Sequence, residues 1–380
     1  MRQVFITAAK RTAVVPRGGT FAGVALHELA APVMSSCAME AELETTTIDE
    51  VIVGNALYGG GNPARLIALA AGLPETIPAI TIDRQCCSGL DAVGMALSMI
   101  KSGQADKVIA GGAESFSRSA LRSHRPRFPD EAAEPYDRPP FSPWSDRDPE
   151  MGEAAAALAA RLSISRERQW AWAIDSHQKA LKRSKSTEIK GDFVRVDKET
   201  LTVDPFTRDL TIGTCRRAPL LFGDKSYGVD VATTAVEADA AAFLFLCDED
   251  AAHAHGGPIY RILDHVVSGA DPELPGLAPI EAAKKLMSRT NRQAKDIDRV
   301  EIMEAYAAQA IAFDDAFDFD PSNINVGGGA LARGHPIGAS GAILLVQLVK
   351  ELARLPSGVC GLAAIASAGG LGSAVLIEKM

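Results

Sequence analysis

The sequence lacks the features that mark membrane, disulfide-rich and nucleic-acid-binding proteins. No apolar run approaches the roughly 20 residues that span a bilayer, and the strand-like start leaves no room for a secretion signal. The six cysteines are scattered without C-x-x-C spacing, so we expect neither disulfides nor a metal site. A formal net charge of −9 argues against nucleic acid and membrane as partners. We therefore expect a cytoplasmic protein, long enough at 380 residues for two core-forming units.

Strand-like and helical runs alternate along most of the chain, which predicts a layered α/β sheet. In the first third the strand-like runs are VFITAAKRT, VIVGNAL, AITIDRQ and KVIAGGAES. The pattern stops at residues 121–149, where seven of the 21 prolines lie and a loop is predicted. In the helical stretch that follows, Ser165 has the spacing of an N-cap. His253 and His255, in AAHAHGGP, are interpreted as part of a solvated linker at a domain boundary.

The last third of the chain repeats the layout of the first third. In each, a loop leads into a helical pattern and then into an apolar strand that ends in glycines, which is the order that a duplicated α/β unit would leave. The second helical pattern, AILLVQLVKELARL, is apolar nearly all round and must be buried on most sides. We therefore predict two sheets that enclose both helices, with the two helix N-termini converging in the middle. The first helix has one apolar stripe, made of Leu90, Val93, Leu97 and Ile100.

Two loops could supply reactive side chains where those helices begin. Cys86 precedes the first helix, whose free N–H groups and dipole would stabilise a thiolate. His335 holds the matching place in the second half, and a neutral imidazole close to Cys86 would complete a nucleophile–base pair. Two simpler interpretations stay open, namely a cysteine that is only a small buried hydrophobe and a His–Pro pair that is only a turn.

At these residues the sequence resembles the thiolases, the family of acyl-CoA acetyltransferases and 3-ketoacyl-CoA thiolases. DRQCCSGLDA is similar to the nucleophile loop of that family, GHPIGASG to its histidine loop, and MGEAAAALAARLSISRERQWAWAIDSHQKA to its inserted loop domain. The resemblance runs from residue 1 to residue 380 and implies a five-layer α/β/α/β/α fold built from two similar halves. It implies a first half at residues 1–114 and 236–252, an insertion at 115–235 and a second half at 257–380.

The resemblance also implies the chemistry. Cys86 would be the nucleophile that becomes acylated, His335 the base that activates it, and Cys87 a packing residue. The substrate would be a coenzyme A thioester, no cofactor would be permanently bound, and the chain would form a homodimer or homotetramer through the sheet edge of the first half. The implied substrate-binding positions are those of Met151, Val236 and Tyr306, with further apolar residues around Leu277.

Three positions depart from the family pattern. The third loop of the family reads Asn-Glu-Ala-Phe, and here Met303 stands at the asparagine, which normally holds an oxyanion-binding water. A methionine cannot donate that hydrogen bond. In the fourth loop Ala366 stands at the second catalytic cysteine, the acid/base of the carbon–carbon step, and Ala368 at the glycine that follows it. These changes predict a site that lacks its second proton-transferring group.

We expect from this pattern an acyltransferase that forms an acyl-Cys86 intermediate from acyl-CoA but makes and breaks carbon–carbon bonds poorly. Two alternatives stay open: a fully active acetyl-CoA acetyltransferase or β-oxidation 3-ketoacyl-CoA thiolase, and a non-catalytic binding protein with the same fold. An unrelated cysteine hydrolase is disfavoured, because the sequence places no carboxylate or amide where it would orient His335.

Overall fold

The structure is a computed structural model that describes residues 2–41, 47–185, 193–196 and 201–380. Within these residues the strands are β1 (Val4–Arg11), β2 (Val15–Pro16), β3 (Glu50–Gly54), β4 (Ala79–Ile82), β5 (Lys107–Ser115), β6 (Arg122–His124), β7 (Glu134–Tyr136), β8 (Leu220–Phe222), β9 (Val229–Asp230), β10 (Ala238–Asp248), β11 (Tyr260–Gly269), β12 (Arg299–Ile302), β13 (Cys360–Ser367) and β14 (Leu371–Lys379). The helices are α1 (Leu26–Glu40), α2 (Pro63–Ala70), α3 (Ser88–Ser102), α4 (Met151–Arg161), α5 (Arg166–Ser184), α6 (Ile212–Arg217), α7 (Glu249–Ala254), α8 (Ala278–Thr290), α9 (Ala307–Asp315), α10 (Ala330–Arg333) and α11 (Ile337–Leu352).

The main sheet consists of two half-sheets that share the order of four strands, and the first half-sheet has β4 in addition. The first half-sheet runs β1-β10-β5-β3-β4, and the second runs β11-β14-β13-β12. In both, the first three strands are antiparallel neighbours and the next strand is parallel to the third. The half-sheets are joined where β1 pairs with β11 through Phe5 and Ile6. The internal duplication expected from the sequence is therefore present in the strand topology.

The helices and half-sheets form five layers. Helices α3 and α11 share one core with the inner faces of both half-sheets, through side chains such as Leu90, Leu345, Leu244 and Ile365. Helices α1 and α2 cover the outer face of the first half-sheet, and α8 and α9 cover that of the second. The period-2 alternation along β10 sends Leu244 inward and Phe243 outward. The predicted α/β/α/β/α architecture is confirmed.

Glycine lets the backbones of the two central helices approach each other closely. A Cβ atom added to Gly341 of α11 would lie 2.5 Å from the backbone nitrogen of Leu90 in α3. One added to Gly89 of α3 would lie 2.8 Å from the nitrogen of Ala342. No other residue fits at such distances without moving backbone, so these glycines hold the two helix N-terminal regions together.

The stretch between β5 and β10 departs in part from expectation. The proline-rich residues 121–149, expected as a loop, contain the antiparallel pair β6 and β7 and a short 3₁₀ turn. The pairing is local, with three residues on each strand, which composition does not predict. Ser165 is the N-cap of α5, as expected, and its side chain accepts from the backbone nitrogen of Arg168. AAHAHGGP is not wholly a linker, because His253 lies in the short helix α7.

Within the described residues, none of the helices combines the length and the apolar character that crossing a membrane would need.

Candidate active site

The loop between β4 and α3 presents Cys86 at the start of α3. Gln85, just before it, has a φ of 49°, in the left-handed region. The hydroxyl of Ser88 accepts from the backbone nitrogen of Arg84 at 2.7 Å and donates to the carbonyl oxygen of Gln85 at 2.6 Å. From the second half, the Ser367 hydroxyl donates to the Arg84 carbonyl oxygen at 2.9 Å. The loop is thus fixed by short hydrogen bonds from both halves of the molecule.

The side chain of Arg84 is tied to a buried polar cluster behind the loop. Its guanidinium lies 2.7 Å from a carboxylate oxygen of Asp91 on α3. The other carboxylate oxygen of Asp91 accepts from the Ser373 hydroxyl at 2.6 Å and lies 3.0 Å from Nε2 of His265. The cluster therefore links α3 to strands β11 and β14 of the other half. The sequence carries no sign of it, because hydrogen-bonded partners in the cluster lie up to 282 residues apart.

The loop before α11 places His335 next to Cys86. The backbone nitrogen of His335 donates to the carbonyl oxygen of Val236 at 2.7 Å. Its Nδ1 lies 2.7 Å from the hydroxyl of Ser340, and that hydroxyl donates to the carbonyl oxygen of Pro336 at 2.9 Å. Since the hydroxyl proton is used on Pro336, Ser340 accepts from Nδ1–H, which leaves Nε2 unprotonated. Ser340 is thus the group that orients the imidazole, a role for which the sequence offered no candidate.

The two predicted reactive side chains meet directly. Nε2 of His335 lies 3.1 Å from Sγ of Cys86, across 249 residues of sequence. Burial raises the pKa of the Cys86 thiol to about 12 and lowers the pKa of His335 to about 4. The resting pair is therefore a thiol that donates to a neutral imidazole. Such an imidazole can take the proton as the sulfur attacks a carbonyl carbon.

A buried carboxylate fixes the histidine loop from the other side. Glu114, at the end of β5, accepts from the backbone nitrogen of Gly338 at 2.9 Å and from that of Ala56 at 2.9 Å. It also accepts from the side-chain amide of Asn55 at 2.7 Å. Burial raises the pKa of Glu114 to about 7, while its backbone donors favour the charged form. Glu114 therefore joins the first turn of α11 to the loop after β3. The sequence did not reveal this role of Glu114.

Cys87, next to the nucleophile candidate, faces away into the core. It is fully buried, and its Sγ lies 3.6 Å from the carbonyl oxygen of Ile365 in β13. This position agrees with the packing role that the family resemblance implied. Burial raises the pKa of its thiol well above the usual value, so Cys87 is an inert neighbour.

The three altered positions are apolar and buried. Met303 follows β12, is 3% exposed, and donates from its backbone nitrogen to Ala364 at 3.0 Å. Ala366 lies in β13 between Ile365 and Ser367, both of which contact the nucleophile loop. Ala368 follows the same strand, and Ala366 and Ala368 are each 6% exposed. None of the three side chains can donate or accept a proton, so this edge of the site contrasts with the polar Cys86–His335 side.

The expected substrate-binding residues fall in different places. Burial raises the pKa of the Tyr306 hydroxyl to about 12, and the backbone of Tyr306 forms an antiparallel bridge with Thr234. Val236 holds His335 through its backbone, and Met151 is the first residue of α4. Leu277 packs against a cluster that includes Leu158 and Ile311, and against the core on the outer face of the second half-sheet.

Within the part of the chain that the structure describes, no group of three or more histidine, cysteine or acidic side chains could hold a metal ion.

Comparisons with known proteins show the family to which the chain belongs. Residues 4–250 match the family model "Thiolase, N-terminal domain", and residues 257–379 match "Thiolase, C-terminal domain". A Bacillus subtilis protein named "Putative acetyl-CoA C-acetyltransferase" is 40% identical over 381 residues, covering 99% of both chains. The crystal structure of the Bacillus anthracis acetyl-CoA acetyltransferase has a TM-score of 0.91 at 33% identity, covering 100% of this chain and 99% of that one. Human mitochondrial 3-ketoacyl-CoA thiolase in complex with CoA has a TM-score of 0.90 at 29% identity, covering 100% and 98%.

Proposed function

The chain belongs to the thiolase family and is an acyltransferase, and from this premise we propose that Cys86 accepts an acyl group from a coenzyme A thioester while His335 takes the thiol proton. The observation that carries the proposal is the 3.1 Å contact between Sγ of Cys86 and Nε2 of His335. Proton transfer to an unprotonated Nε2 requires no rearrangement of the loop, because Ser340 already accepts from Nδ1.

The half-reaction is balanced by the pair alone. The Cys86 S–H proton moves to Nε2 of His335, and the thiolate attacks the thioester carbonyl carbon. The carbonyl electrons move to the oxygen and then return as the carbon–sulfur bond to coenzyme A breaks. The departing thiolate takes the proton from His335, leaving acyl-Cys86, neutral His335 and free coenzyme A.

The oxyanion of this step would be held by backbone N–H groups. The family resemblance places these donors at Cys86 and at the fourth-loop position that Ala368 occupies. Replacing glycine by alanine at 368 is compatible with that role, because Ala368 is not among the described residues with a positive φ. Gly369 and Gly370, which follow it, do have φ near +75° and form the turn into β14.

The carbon–carbon step is proposed to be slow. Met303 removes one donor to the thioester oxygen of the acceptor, and losing such a donor costs about 10²–10³ in rate. Ala366 removes the acid/base group, which typically contributes about 10²–10⁴. The site as proposed transfers acyl groups readily and forms or cleaves carbon–carbon bonds poorly.

A second candidate is a fully active acetyl-CoA acetyltransferase or 3-ketoacyl-CoA thiolase. The names of the relatives favour it, since the two crystal structures compared above bear such names. A third, a binding protein of the thiolase fold, is less favoured, because a non-catalytic protein has no need for a thiol hydrogen-bonded to an oriented imidazole.

We keep the domain boundaries and the oligomeric state as proposals. Residues 1–114 with 236–252 would form the first half, 115–235 the inserted loop domain and 257–380 the second half. A homodimer or homotetramer would form through the sheet edge of the first half. The exposure of that edge supports this, because β4 is the outer strand there and Ile80 is 43% exposed. An acyl-CoA thioester remains the proposed substrate, without a permanently bound cofactor.

The test separates the two half-reactions. Wild-type protein is incubated with acetyl-CoA and longer acyl-CoAs, and its intact mass is measured alongside Cys86→Ala and Cys87→Ala. We expect an acyl adduct that Cys86→Ala abolishes and Cys87→Ala retains. Cleavage of acetoacetyl-CoA by free coenzyme A is then assayed with the same protein. The absence of any Cys86-dependent adduct would contradict the proposal, and cleavage at an ordinary enzymatic rate, roughly 1–10³ per second, would favour the second candidate.

A further inference from the structure

Arg84, two residues before Cys86, connects the nucleophile loop (residues 83–87) to the interior of the molecule. Its guanidinium lies 2.7 Å from Oδ2 of Asp91 on α3. The Arg84 side chain is 41% exposed, whereas that of Asp91 is only 3% exposed. Because Asp91 is shielded from water and the contact is a charge-assisted hydrogen bond, solvent weakens this pair less than it weakens an exposed one. The loop is therefore tied to a buried, well-defined point.

Asp91 is itself held in place by two donors from the second half of the chain. The Ser373 hydroxyl donates to Oδ1 of Asp91 at 2.6 Å. Nε2 of His265 lies 3.0 Å from the same Oδ1 and 2.9 Å from the Ser373 hydroxyl oxygen. Since the Ser373 proton is used on Asp91, Nε2 faces two acceptor oxygens and is the protonated ring nitrogen. Both donors engage Oδ1, which leaves Oδ2 to bind Arg84.

Gly94 gives the His265 ring its place beside α3. A Cβ atom added to Gly94 would lie 2.1 Å from Nδ1 of His265 and 2.3 Å from its Cε1. Residues 91 and 94 are three apart and share one face of the helix, so the ring passes over Gly94 to reach Asp91. A larger residue at 94 would push the ring away from the carboxylate. This face of α3 therefore has the shape that the contact between His265 and Asp91 requires.

The position of the sulfur depends on how the nucleophile loop is held. Gln85, between Arg84 and Cys86, has a φ of 49°, in a region that side chains other than glycine rarely adopt, so surrounding contacts must maintain this conformation. The imidazole of His335 is fixed separately by its own loop, through Ser340. Displacement of residues 84–86 would therefore lengthen the contact between sulfur and Nε2.

We propose that Arg84 and Asp91 are positioning residues for Cys86, and that their ion pair holds the nucleophile loop so that Sγ stays 3.1 Å from Nε2 of His335. Their importance for catalysis rests on the proposed acyl-Cys86 chemistry. A misplacement of about 1 Å can cost about 10²-fold in rate. Because strands β11 and β14 hold Asp91, contacts with the second half determine where the nucleophile of the first half lies.

The test removes the ion pair at its exposed end, where the fold depends on it least. Arg84→Met keeps the length of the side chain without its charge, and Arg84→Lys keeps the charge. The matched control is Arg289→Met. Arg289 is 62% exposed and lies 2.8 Å from the largely buried Asp264, so its pair ties α8 to β11 and has no member in the nucleophile loop.

Two rates are measured by intact mass: alkylation of Cys86 by iodoacetamide, which needs no acyl-CoA, and acylation by acetyl-CoA over a range of concentrations. The remaining cysteines are buried, and Cys86→Ala gives the background. We expect Arg84→Met to lower both rates by about 10-fold to 10²-fold and to keep the half-saturating acetyl-CoA concentration within about twofold. Arg84→Lys should recover most of the loss, and Arg289→Met should match wild type.

Asp91→Asn breaks the same pair from its buried end. An amide has one acceptor oxygen where the carboxylate has two, so it cannot serve both Arg84 and the donors from the second half. Asp91→Asn should therefore slow both reactions, and adding it to Arg84→Met should lower the rates by less than about a further twofold. Fully multiplied losses in the double variant would overturn the assignment, because the two residues would then act independently.

A second double variant shows whether the pair acts through the contact between sulfur and imidazole. Adding Arg84→Met to His335→Gln should change alkylation by less than about twofold, because the sulfur then has no base to be aligned with. The same loss as in wild type would overturn the proposal, since Arg84 would then only keep the loop folded.

Other outcomes would also overturn it. Unchanged alkylation in Arg84→Met would show that the ion pair does not position the sulfur. A raised half-saturating concentration with an unchanged saturated rate would make Arg84 a substrate-binding residue instead. If wild-type protein forms no acyl adduct, the proposed function is refuted, and the alkylation rates still decide whether Arg84 and Asp91 position Cys86.

Discussion

The two halves of the molecule share the order of four strands and contribute unequally to the candidate active site. In the first half, the loop before α3 carries Cys86 and is held by hydrogen bonds through Arg84, Ser88 and Ser367. In the second half, the loop before α11 carries His335, but the ends of β12 and β13 carry Met303 and Ala366. The duplicated topology therefore places corresponding loops of the two halves at equivalent positions. Which reaction step each loop can support depends on the side chain that it carries.

The same contrast divides the site into a complete side and an incomplete side. On the complete side, the sulfur, the imidazole and the Ser340 hydroxyl form one chain of contacts, 3.1 Å and 2.7 Å long. On the incomplete side, Met303 and Ala366 offer no group that can transfer a proton. In the proposed mechanism, acylation needs a proton-transferring group on the first side only, whereas carbon–carbon chemistry needs one on each side. Substitutions on the two sides should consequently separate the half-reactions.

The largest effect on the acylation rate is expected from substitutions on the complete side, at His335 and Ser340. His335→Gln keeps most of the volume but removes the base, so Cys86 acylation should slow by about 10²–10⁴. Ser340→Ala removes only the acceptor of Nδ1–H, a hydrogen bond of about 1 kcal/mol, and should slow it about fivefold. Stopped-flow or quenched intact-mass measurement of the acylation rate checks both. Equal losses in the two variants would show that Ser340 does more than orient the ring.

A gain of function is expected from the incomplete side. Ala366→Cys restores a titratable thiol beside the nucleophile loop and should raise acetoacetyl-CoA cleavage by about 10²-fold, without changing the acylation rate. Ala366→Ser is the matched control, because its hydroxyl is nearly the same size and far too weak an acid. Steady-state cleavage kinetics of the two variants decide the matter. A gain that is equal in both variants would indicate altered packing rather than restored proton transfer.

The smallest effect concerns pH. Burial lowers the pKa of His335 to about 4, so the imidazole stays neutral well below its ordinary pKa of about 6.5. Protonation abolishes the base, so acylation should fall only as pH drops toward 4. Between pH 7.5 and 5.5 the acylation rate should change by less than about twofold. A half-maximal loss near pH 6.5 would mean that the imidazole is solvated when substrate binds, contrary to its buried position beside Cys86.

Much of the fold followed from local patterns. The alternation of strand-like and helical runs predicted an α/β sheet, and the near-uniform apolarity of AILLVQLVKELARL predicted the buried helix α11. The likeness of the first and last thirds predicted the duplicated layers. The pair β6 and β7 was not predicted, because its three-residue strands lack the apolar alternation that marks a sheet strand.

The site was predictable only where a motif marked it. Cys86 and His335 each lie in a distinctive short stretch at the start of a helix, so both could be named from the sequence. Glu114, Asp91 and Ser373 could not, since a glutamate, an aspartate or a serine in a long chain carries no local signal of its partners. Their functions arise from contacts such as the 2.6 Å bond between Ser373 and Asp91, made across 282 residues.

The amino-acid sequence by itself determined which groups the protein can use: a thiol and an imidazole at two helix starts, and no thiol or amide at positions 366 and 303. Periodicity and motif spacing are local properties, so the chain order displays them directly. The tertiary structure alone decided how those groups are arranged, including the 3.1 Å approach of sulfur to Nε2 and the tautomer set by Ser340. Distances and hydrogen-bond partners between remote segments exist only after the layers pack, because packing brings together residues that the chain keeps far apart.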